Sequence, residues 1–144
     1  MGLQLVVGGA YSGKRNIIRK QYDDLTWHSA YDKRPIMNWK SSFHSSSAIV
    51  LEGWEEWIKH ELETYADLEK VKMIFFKIID EFSELEKKYD KKIILIMLEM
   101  GRGIVPLNEE DRNLRDISGW ILQYATKKAE TVQYCWHGLY KTIK

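Results

Sequence analysis

Residues 3–15 of the chain read Leu-Gln-Leu-Val-Val-Gly-Gly-Ala-Tyr-Ser-Gly-Lys-Arg. The apolar start of this stretch stops at two glycines, which predicts a short strand that is buried on both faces. Helical composition then begins at Lys14 and ends at the polar pair Asp23 and Asp24. The stretch therefore predicts a strand, a glycine-rich turn and a helix, in that order.

The turn between that strand and helix fits the phosphate-binding pattern G-x-x-x-x-G-K, in the strand-to-helix context that the pattern requires. Its glycines let successive backbone N–H groups point into one concave nest, and the helix adds its positive end. The lysine can reach the terminal phosphates of a nucleotide, and it is also a catalytic candidate. The alternative is a glycine-rich turn that binds nothing. The predicted nucleotide-binding residues are Gly8, Gly9, Ala10, Tyr11, Ser12, Gly13, Lys14 and Arg15.

Arg15 departs from this pattern, because Ser or Thr normally follows the lysine and holds Mg²⁺. A guanidinium group has only donors and cannot coordinate a cation. Two consequences are open at this point. Either Arg15 adds its own charge to the phosphates and partly substitutes for the metal, or it displaces Mg²⁺ and weakens phosphoryl transfer.

The composition excludes several other classes of protein. The 144 residues include 22 Lys plus Arg against 21 Asp plus Glu, and the net charge of +1 offers no global field to nucleic acid or anionic lipid. The single cysteine, Cys135, excludes an internal disulfide and a cysteine-based zinc cluster. No apolar run approaches the roughly 20 residues that span a bilayer, and the start of the chain lacks a signal peptide's charged leader. We expect one cytoplasmic domain over residues 1–144, with no nucleic-acid and no membrane partner.

The rest of the chain alternates strand patterns with helix patterns. Strands that are apolar throughout and alternate with helices predict a three-layer α/β fold of the P-loop NTPase type, with a mainly parallel central sheet. A core helix is favoured over a coiled-coil seam for residues 68–89, and residues 31–47 are expected to form an irregular mobile loop. Strands are predicted at 25–29, 48–51, 93–98 and 131–136, with a short edge strand at 139–143, and further helices after Gly53 and Asn108.

Two glutamates, Glu52 and Glu99, follow predicted strands. Parallel α/β sheets bind ligands beyond the carboxyl ends of their strands, so both residues are candidate catalytic carboxylates. Glu52 is in addition a candidate ligand for Mg²⁺. We expect the strands that these residues follow to neighbour the first strand. The alternative for either residue is a turn-capping role.

A later segment carries a family resemblance. Residues 99–106 read Glu-Met-Gly-Arg-Gly-Ile-Val-Pro, and Arg112, Arg115, Asp116 and Gly119 follow them. With the phosphate loop, these residues resemble the bifunctional adenosylcobinamide kinase and adenosylcobinamide-phosphate guanylyltransferase family of cobalamin biosynthesis. That family is similar in its E-x-G-x-G-I-V-P segment and its R-x-x-R-D-x-x-G helix. The resemblance implies GTP or ATP as the nucleotide, phosphorylation of a corrinoid (adenosylcobinamide), transfer of GMP through a guanylylated histidine, and a homotrimer.

The chain departs from this family at several positions. The helix on which the family carries its histidine is missing before Arg34 and Pro35. His28 and His44 lie in this region and are the candidates for the covalent histidine, although neither falls on the family position. The alternative to the enzyme is therefore a nucleotide-binding or subunit-interaction relative without the histidine step. Four single residues also differ from the family. Tyr11 stands where the family has Arg, Arg15 where it has Ser, Glu52 where it has Asp, and Leu98 where it has Asn.

Three arginines near the second segment are candidate phosphate or subunit contacts: Arg102, Arg112 and Arg115. The alternative is a helix-surface ion pair between Arg112 and Asp116, four residues apart. A similar choice applies to the tryptophans, which number six. Core or subunit contacts are expected at Trp54 and Trp57, and stacking on a base or corrinoid is an option for Trp27 and Trp39.

Overall fold

The computed structural model describes residues 2–9, 12–100 and 108–144. The strands in this part of the chain are β1 (Gln4–Gly8), β2 (Leu25–Ser29), β3 (Ala48–Glu52), β4 (Lys92–Leu98), β5 (Thr131–Trp136) and β6 (Leu139–Thr142). They form one sheet in the order β2-β3-β4-β1-β5-β6. The first five strands are parallel, and the expected edge strand, β6, pairs antiparallel with β5.

Helices cover both faces of this sheet. They are α1 (Lys14–Gln21), α2 (Trp39–Phe43), α3 (Trp54–Tyr65), α4 (Leu68–Tyr89) and α5 (Glu109–Lys128). Ile17 and Ile18 of α1 pack with Val6 on one face, whereas α2 to α5 pack with Leu5 and Val7 on the other. Successive strand residues point to opposite faces, so β1 contributes to both layers. The expected three-layer α/β fold with a mainly parallel sheet is confirmed and is consistent with a P-loop NTPase-like architecture. No helix of the described residues is long and apolar enough to cross a membrane.

The central position of β1, between β4 and β5, determines what surrounds its carboxyl end. Gly8 lies opposite Leu98 of β4 and Cys135 of β5. Glu99 directly follows β4, so it follows a neighbour of β1, as expected. The same expectation was wrong for Glu52, because β3 lies on the far side of β4. The order of strands depends on crossovers over the sheet, which local sequence patterns do not encode.

Helix α4 is a core helix, as the sequence favoured. Val71, Phe75 and Phe82 on one of its faces are 0% exposed. Asp67 caps its start by accepting a hydrogen bond from the backbone N–H of Lys70 at 3.2 Å. The helix packs against both α3 and α5, so its apolar stripe is covered within the chain. A coiled-coil partner is not needed to bury it.

Residues 31–47 are not the irregular loop that the sequence predicted. The segment from residue 30 contains two 3₁₀ turns, Ala30–Asp32 and Ile36–Asn38, followed by α2. The ring of Trp39 is 2% exposed and meets the ring of Phe82 edge-on, with centroids 4.7 Å apart. Elements this short do not display a hydrophobic period, which is why the prediction failed. The burial of Trp39 also excludes it as an exposed stacking platform.

Trp54 and Trp57 lie in the core, as expected, at 2% and 5% exposure. Their rings meet edge to face, with centroids 5.0 Å apart. Each indole N–H donates to a backbone carbonyl: that of Trp54 to Leu51 at 3.0 Å, and that of Trp57 to Arg34 at 2.8 Å. These bonds satisfy the polar atoms that burial would otherwise leave unpaired. They also attach the start of α3 to β3 and to the segment before α2.

Candidate functional site

A cavity of about 530 Å³ lies at the carboxyl ends of β3 and β4, beside the start of α1. This is where parallel α/β sheets bind their ligands. Its lining includes Ile96 and Leu98 of β4 and the first residues of α1. The charged and aromatic lining residues are Lys14, Arg15, Arg19, Tyr31, Glu52 and Glu55. Residues 12–15, the end of the phosphate-binding sequence pattern, therefore line this cavity.

Two glycines of the phosphate loop are required by close contacts. A Cβ atom on Gly8 would lie 2.6 Å from the carbonyl oxygen of Cys135. Gly13 precedes α1 with a φ of 90°, and a Cβ atom there would lie 3.0 Å from the Cα of Gly138. Gly8 also accepts a backbone hydrogen bond from Glu99 at 2.9 Å, so this carboxylate residue is fixed beside the loop. The turn before β6 and the end of β4 thus support the loop from two sides.

Lys14, the first residue of α1, lies against its own loop. Its Nζ donates to the carbonyl oxygen of Gly9 at 2.6 Å and to the Oγ of Ser12 at 3.3 Å. Burial lowers the pKa of Lys14. The first turn of α1 carries no acidic side chain that would neutralise its positive end. The other two predicted loop residues, Ala10 and Tyr11, lie outside the described residues.

Arg15 forms a two-point ion pair with Glu52. Its Nε donates to Oε2 at 2.8 Å, and its Nη2 lies 2.6 Å from Oε1. The side chain of Glu52 is only 4% exposed, whereas that of Arg15 is 47% exposed. The hydrogen bond with Glu52 raises the pKa of Arg15, which therefore stays charged. Both carboxylate oxygens are engaged, and the guanidinium still presents an open side to the cavity.

The Mg²⁺ that a phosphate loop implies does not fit this pair. Mg²⁺ takes oxygen ligands in near-octahedral geometry at about 2.0–2.1 Å. A guanidinium stands where the pattern has a hydroxyl, and both oxygens of Glu52 accept hydrogen bonds from it. Within the part of the chain that the structure describes, no three or more His, Cys, Asp or Glu are grouped to hold a metal. The structure does not support Glu52 as an Mg²⁺ ligand and shows instead the anchor of Arg15.

Aromatic rings flank the guanidinium of Arg15. Its Cζ lies 6.0 Å from the ring centroid of Trp27 and 5.7 Å from that of Tyr31, and the Cζ of Arg19 lies 5.1 Å from that of Trp27. Tyr31 donates a hydrogen bond from its hydroxyl to Glu55, and burial together with this bond raises its pKa. Three residues of this lining were not predicted from the sequence: Arg19, Tyr31 and Glu55. The spacing of two arginines four apart on one helix was the available signal.

Neither candidate histidine lies in the cavity. His28 is 1% exposed, with its Nε2 2.8 Å from the carbonyl oxygen of Pro35 and its Nδ1 3.2 Å from the Oγ of Ser42. Burial lowers the pKa of His28. His44 is exposed, as expected, but it precedes the amino end of β3 and packs on Tyr89, which precedes the amino end of β4. His28 therefore has no free ring nitrogen, and His44 lies at the edge of the sheet opposite the cavity.

Neither described arginine of the second segment, Arg112 or Arg115, lines the cavity. Arg102 lies outside those residues, and Arg112 lies in the first turn of α5. Arg115 lies 3.2 Å from Asp116, the residue expected to pair with Arg112. Arg115 and Asp116 line a separate surface cleft with Trp120. A phosphate or subunit contact by these arginines stays a prediction.

A family model described as cobinamide kinase / cobinamide phosphate guanyltransferase matches residues 19–143. The chain belongs to this family. The match begins at Arg19, beyond the phosphate loop, so family membership and the loop pattern are independent observations. Membership in the cobinamide kinase / guanyltransferase family assigns the chain, at the level of the family, to kinase or transferase chemistry in cobalamin biosynthesis. The comparison with curated proteins gave no match.

Proposed function

We propose that the protein binds GTP or ATP at residues 8–15 and transfers the terminal phosphoryl group to adenosylcobinamide, the kinase reaction of its family. The observation that carries this proposal is the cavity of about 530 Å³, which is lined by Ser12, Gly13 and Lys14 at the end of the phosphate-binding pattern. That volume falls within the roughly 300–1,000 Å³ of small-molecule sites. The family match over residues 19–143 supports the corrinoid acceptor.

Cations at the start of α1 account for nucleotide binding. Bound phosphates take over the hydrogen bonds that the Nζ of Lys14 makes to Gly9 and Ser12. The free N–H groups of the first helical turn add donors that point along the helix axis. Arg15 and Arg19 line the same cavity and add positive charge. The ligand is therefore an anion with several phosphates.

The proposed reaction is in-line phosphoryl transfer. The acceptor hydroxyl oxygen bonds to the terminal phosphorus, the bond to the bridging oxygen breaks, and the hydroxyl proton passes to a base. Glu99 is the proposed base. Its backbone N–H donates a hydrogen bond to the carbonyl oxygen of Gly8, which places this carboxylate residue next to the phosphate loop. Glu52 acts differently, since its two oxygens hold Arg15 in place.

A second candidate is a relative without the guanylyltransferase step, acting as a kinase or only as a nucleotide-binding subunit. The placement of the histidines favours it, because His28 has both ring nitrogens engaged and His44 lies at the opposite edge of the sheet. A covalent histidine must present a free nitrogen in line with the leaving pyrophosphate. We therefore propose that GMP transfer through His28 or His44 does not occur. A homotrimer, as the family resemblance implies, is a further proposal that analytical ultracentrifugation tests.

Calorimetric titration tests nucleotide binding. GTP and ATP are titrated into the native protein, into Lys14→Ala and into the control Lys20→Ala, which changes an exposed lysine on the same helix. We expect Lys14→Ala to weaken binding by at least about tenfold and Lys20→Ala to leave it unchanged. No binding of either nucleotide to the native protein would refute the proposal.

Two labelled nucleotides separate the family's reactions. With γ-labelled ATP and adenosylcobinamide, the native protein should transfer label to the corrinoid, and Glu99→Gln should slow transfer by about 10²-fold or more. Absence of transfer with intact binding would leave the nucleotide-binding subunit as the surviving candidate. With α-labelled GTP, we expect no protein-bound label. An acid-labile label that disappears in His44→Ala would contradict our placement of the histidines.

A further inference from the structure

The position after the loop lysine is occupied by a fixed cation. Two of the five N–H donors of Arg15, on Nε and Nη2, bind the carboxylate of Glu52. The side chain of Arg15 is 47% exposed and lines the cavity. The guanidinium is therefore both anchored and available to a ligand.

Its surroundings restrict the guanidinium further. Trp27 and Tyr31 lie within about 6 Å of it, at 6.0 Å and 5.7 Å from their ring centroids. The anchor, Glu52, comes from the end of β3 and is itself buried. A cation held by a buried carboxylate and two rings loses little freedom when it binds an anion.

The charges of this pair differ from those of a metal site. In a metal-dependent loop, a neutral hydroxyl and a carboxylate leave an excess of negative charge that Mg²⁺ fills. Here the carboxylate of Glu52 is already neutralised by Arg15 at 2.6 and 2.8 Å. A divalent cation next to them would meet a guanidinium at short range and a buried carboxylate whose two oxygens already bind that guanidinium.

We propose that the Arg15 guanidinium, anchored by Glu52, takes the place of Mg²⁺ in this site, so that the protein selects metal-free nucleoside triphosphate over its Mg²⁺ complex. This inference rests on the proposed nucleotide binding and specifies the ligand form at that same site. It also gives Glu52 a positioning role, because its carboxylate acts on the phosphates only through Arg15.

The test measures affinity for GTP with the metal present and absent. GTP is titrated calorimetrically into three proteins: the native protein, Arg15→Ser and the control Lys20→Ala. Each titration is run once in EDTA and once in excess Mg²⁺. We expect the native protein and the control to bind GTP in EDTA about tenfold more tightly than in Mg²⁺. Arg15→Ser restores the hydroxyl of the motif and should reverse the order. Native binding that is equal in the two buffers or tighter in Mg²⁺ overturns the inference.

The outcomes separate this inference from the proposed function. Native binding that occurs only with Mg²⁺ leaves the proposed function standing and overturns the metal substitution. Absence of binding in both buffers overturns both. Because Arg15→Ser leaves the buried Glu52 carboxylate unpaired, a double variant without an unpaired charge, Arg15→Ser with Glu52→Gln, replaces it if circular dichroism shows unfolding. The double variant is expected to bind GTP no more tightly in EDTA than in Mg²⁺, and a retained preference for EDTA would count against the role of the guanidinium.

Discussion

The ion pair between Arg15 and Glu52 gives the sharpest stability prediction. Arg15→Ala removes both hydrogen bonds to a carboxylate that is 4% exposed. Breaking a buried ion pair from one side costs about 3–5 kcal/mol. Arg15 itself is 47% exposed, so water from the cavity reaches the carboxylate once the arginine is gone. We therefore expect a smaller loss of unfolding free energy, about 1.5–3 kcal/mol.

A double-mutant cycle isolates the contribution of the pair. Glu52→Gln keeps the shape of the side chain and leaves Arg15 able to be hydrated, so we expect it to cost about 1 kcal/mol. In the double variant, Arg15→Ala with Glu52→Gln, no unpaired charge remains. The two single effects should therefore exceed the double effect by about 1–2 kcal/mol.

The assay is urea unfolding followed by far-ultraviolet circular dichroism at neutral pH, at low salt and at about 0.5 M NaCl. Because Glu52 is buried whereas Arg15 is half exposed, the pair should keep part of its coupling energy at high salt. A coupling energy below about 0.5 kcal/mol would refute the reasoning, because such a value is that of independent sites. Such a value would also contradict the anchoring of Arg15 by Glu52, on which the proposed substitution for Mg²⁺ depends.

Further predictions concern the loop and two buried titratable groups. Gly13→Ala places a Cβ atom at a φ of 90° and 3.0 Å from Gly138, so it should lower the unfolding free energy by at least about 1 kcal/mol and weaken GTP binding. The control is Gly119→Ala, which lies within a helix with open space around it and should be neutral or stabilising. The urea and calorimetric assays described above measure both variants. Burial raises the pKa of Glu86 in the folded state, so its contribution to stability is lost as pH rises past the ordinary value of 4.5. Glu86→Gln should therefore stabilise the protein by about 1 kcal/mol at pH 7 and not at pH 4, and a loss of stability at pH 7 would contradict this. Burial lowers the pKa of His28, so the unfolded chain takes up a proton first and stability is lost as pH falls below 6.5. Thermal unfolding at pH 7 and pH 5 should show a smaller decrease for His28→Gln than for the native protein, and equal decreases would rule out this contribution.

Features with a local signature were predictable from sequence. The strand, glycine-rich turn and helix that carry the phosphate-binding pattern depend on residues close in sequence, and close contacts exclude a side chain at Gly8 and Gly13. Helix α4 repeats its apolar side chains over 22 residues, long enough to show its period. Family membership agrees with the resemblance that the later segment suggested.

Features made by short elements or by distant partners were not predictable. The segment that contains α2 places Trp39 in the core, yet its elements have three to five residues each. His28 and His44 look alike as candidates in the sequence. The structure buries the first between Pro35 and Ser42 and places the second at the amino ends of the strands.

By itself, the sequence determined the α/β class, the glycine-rich turn between β1 and α1, and the presence of an arginine where the phosphate-binding pattern has a metal ligand. It left open whether Arg15 replaces Mg²⁺ or merely obstructs it, and it offered Glu52 as a metal ligand. Only the tertiary structure decided that these two residues bind each other, at a separation of 37 residues along the chain. The physical reason is that propensity and hydrophobic period act over one or two turns of chain, whereas the partner of a side chain is set by the order of strands in the sheet.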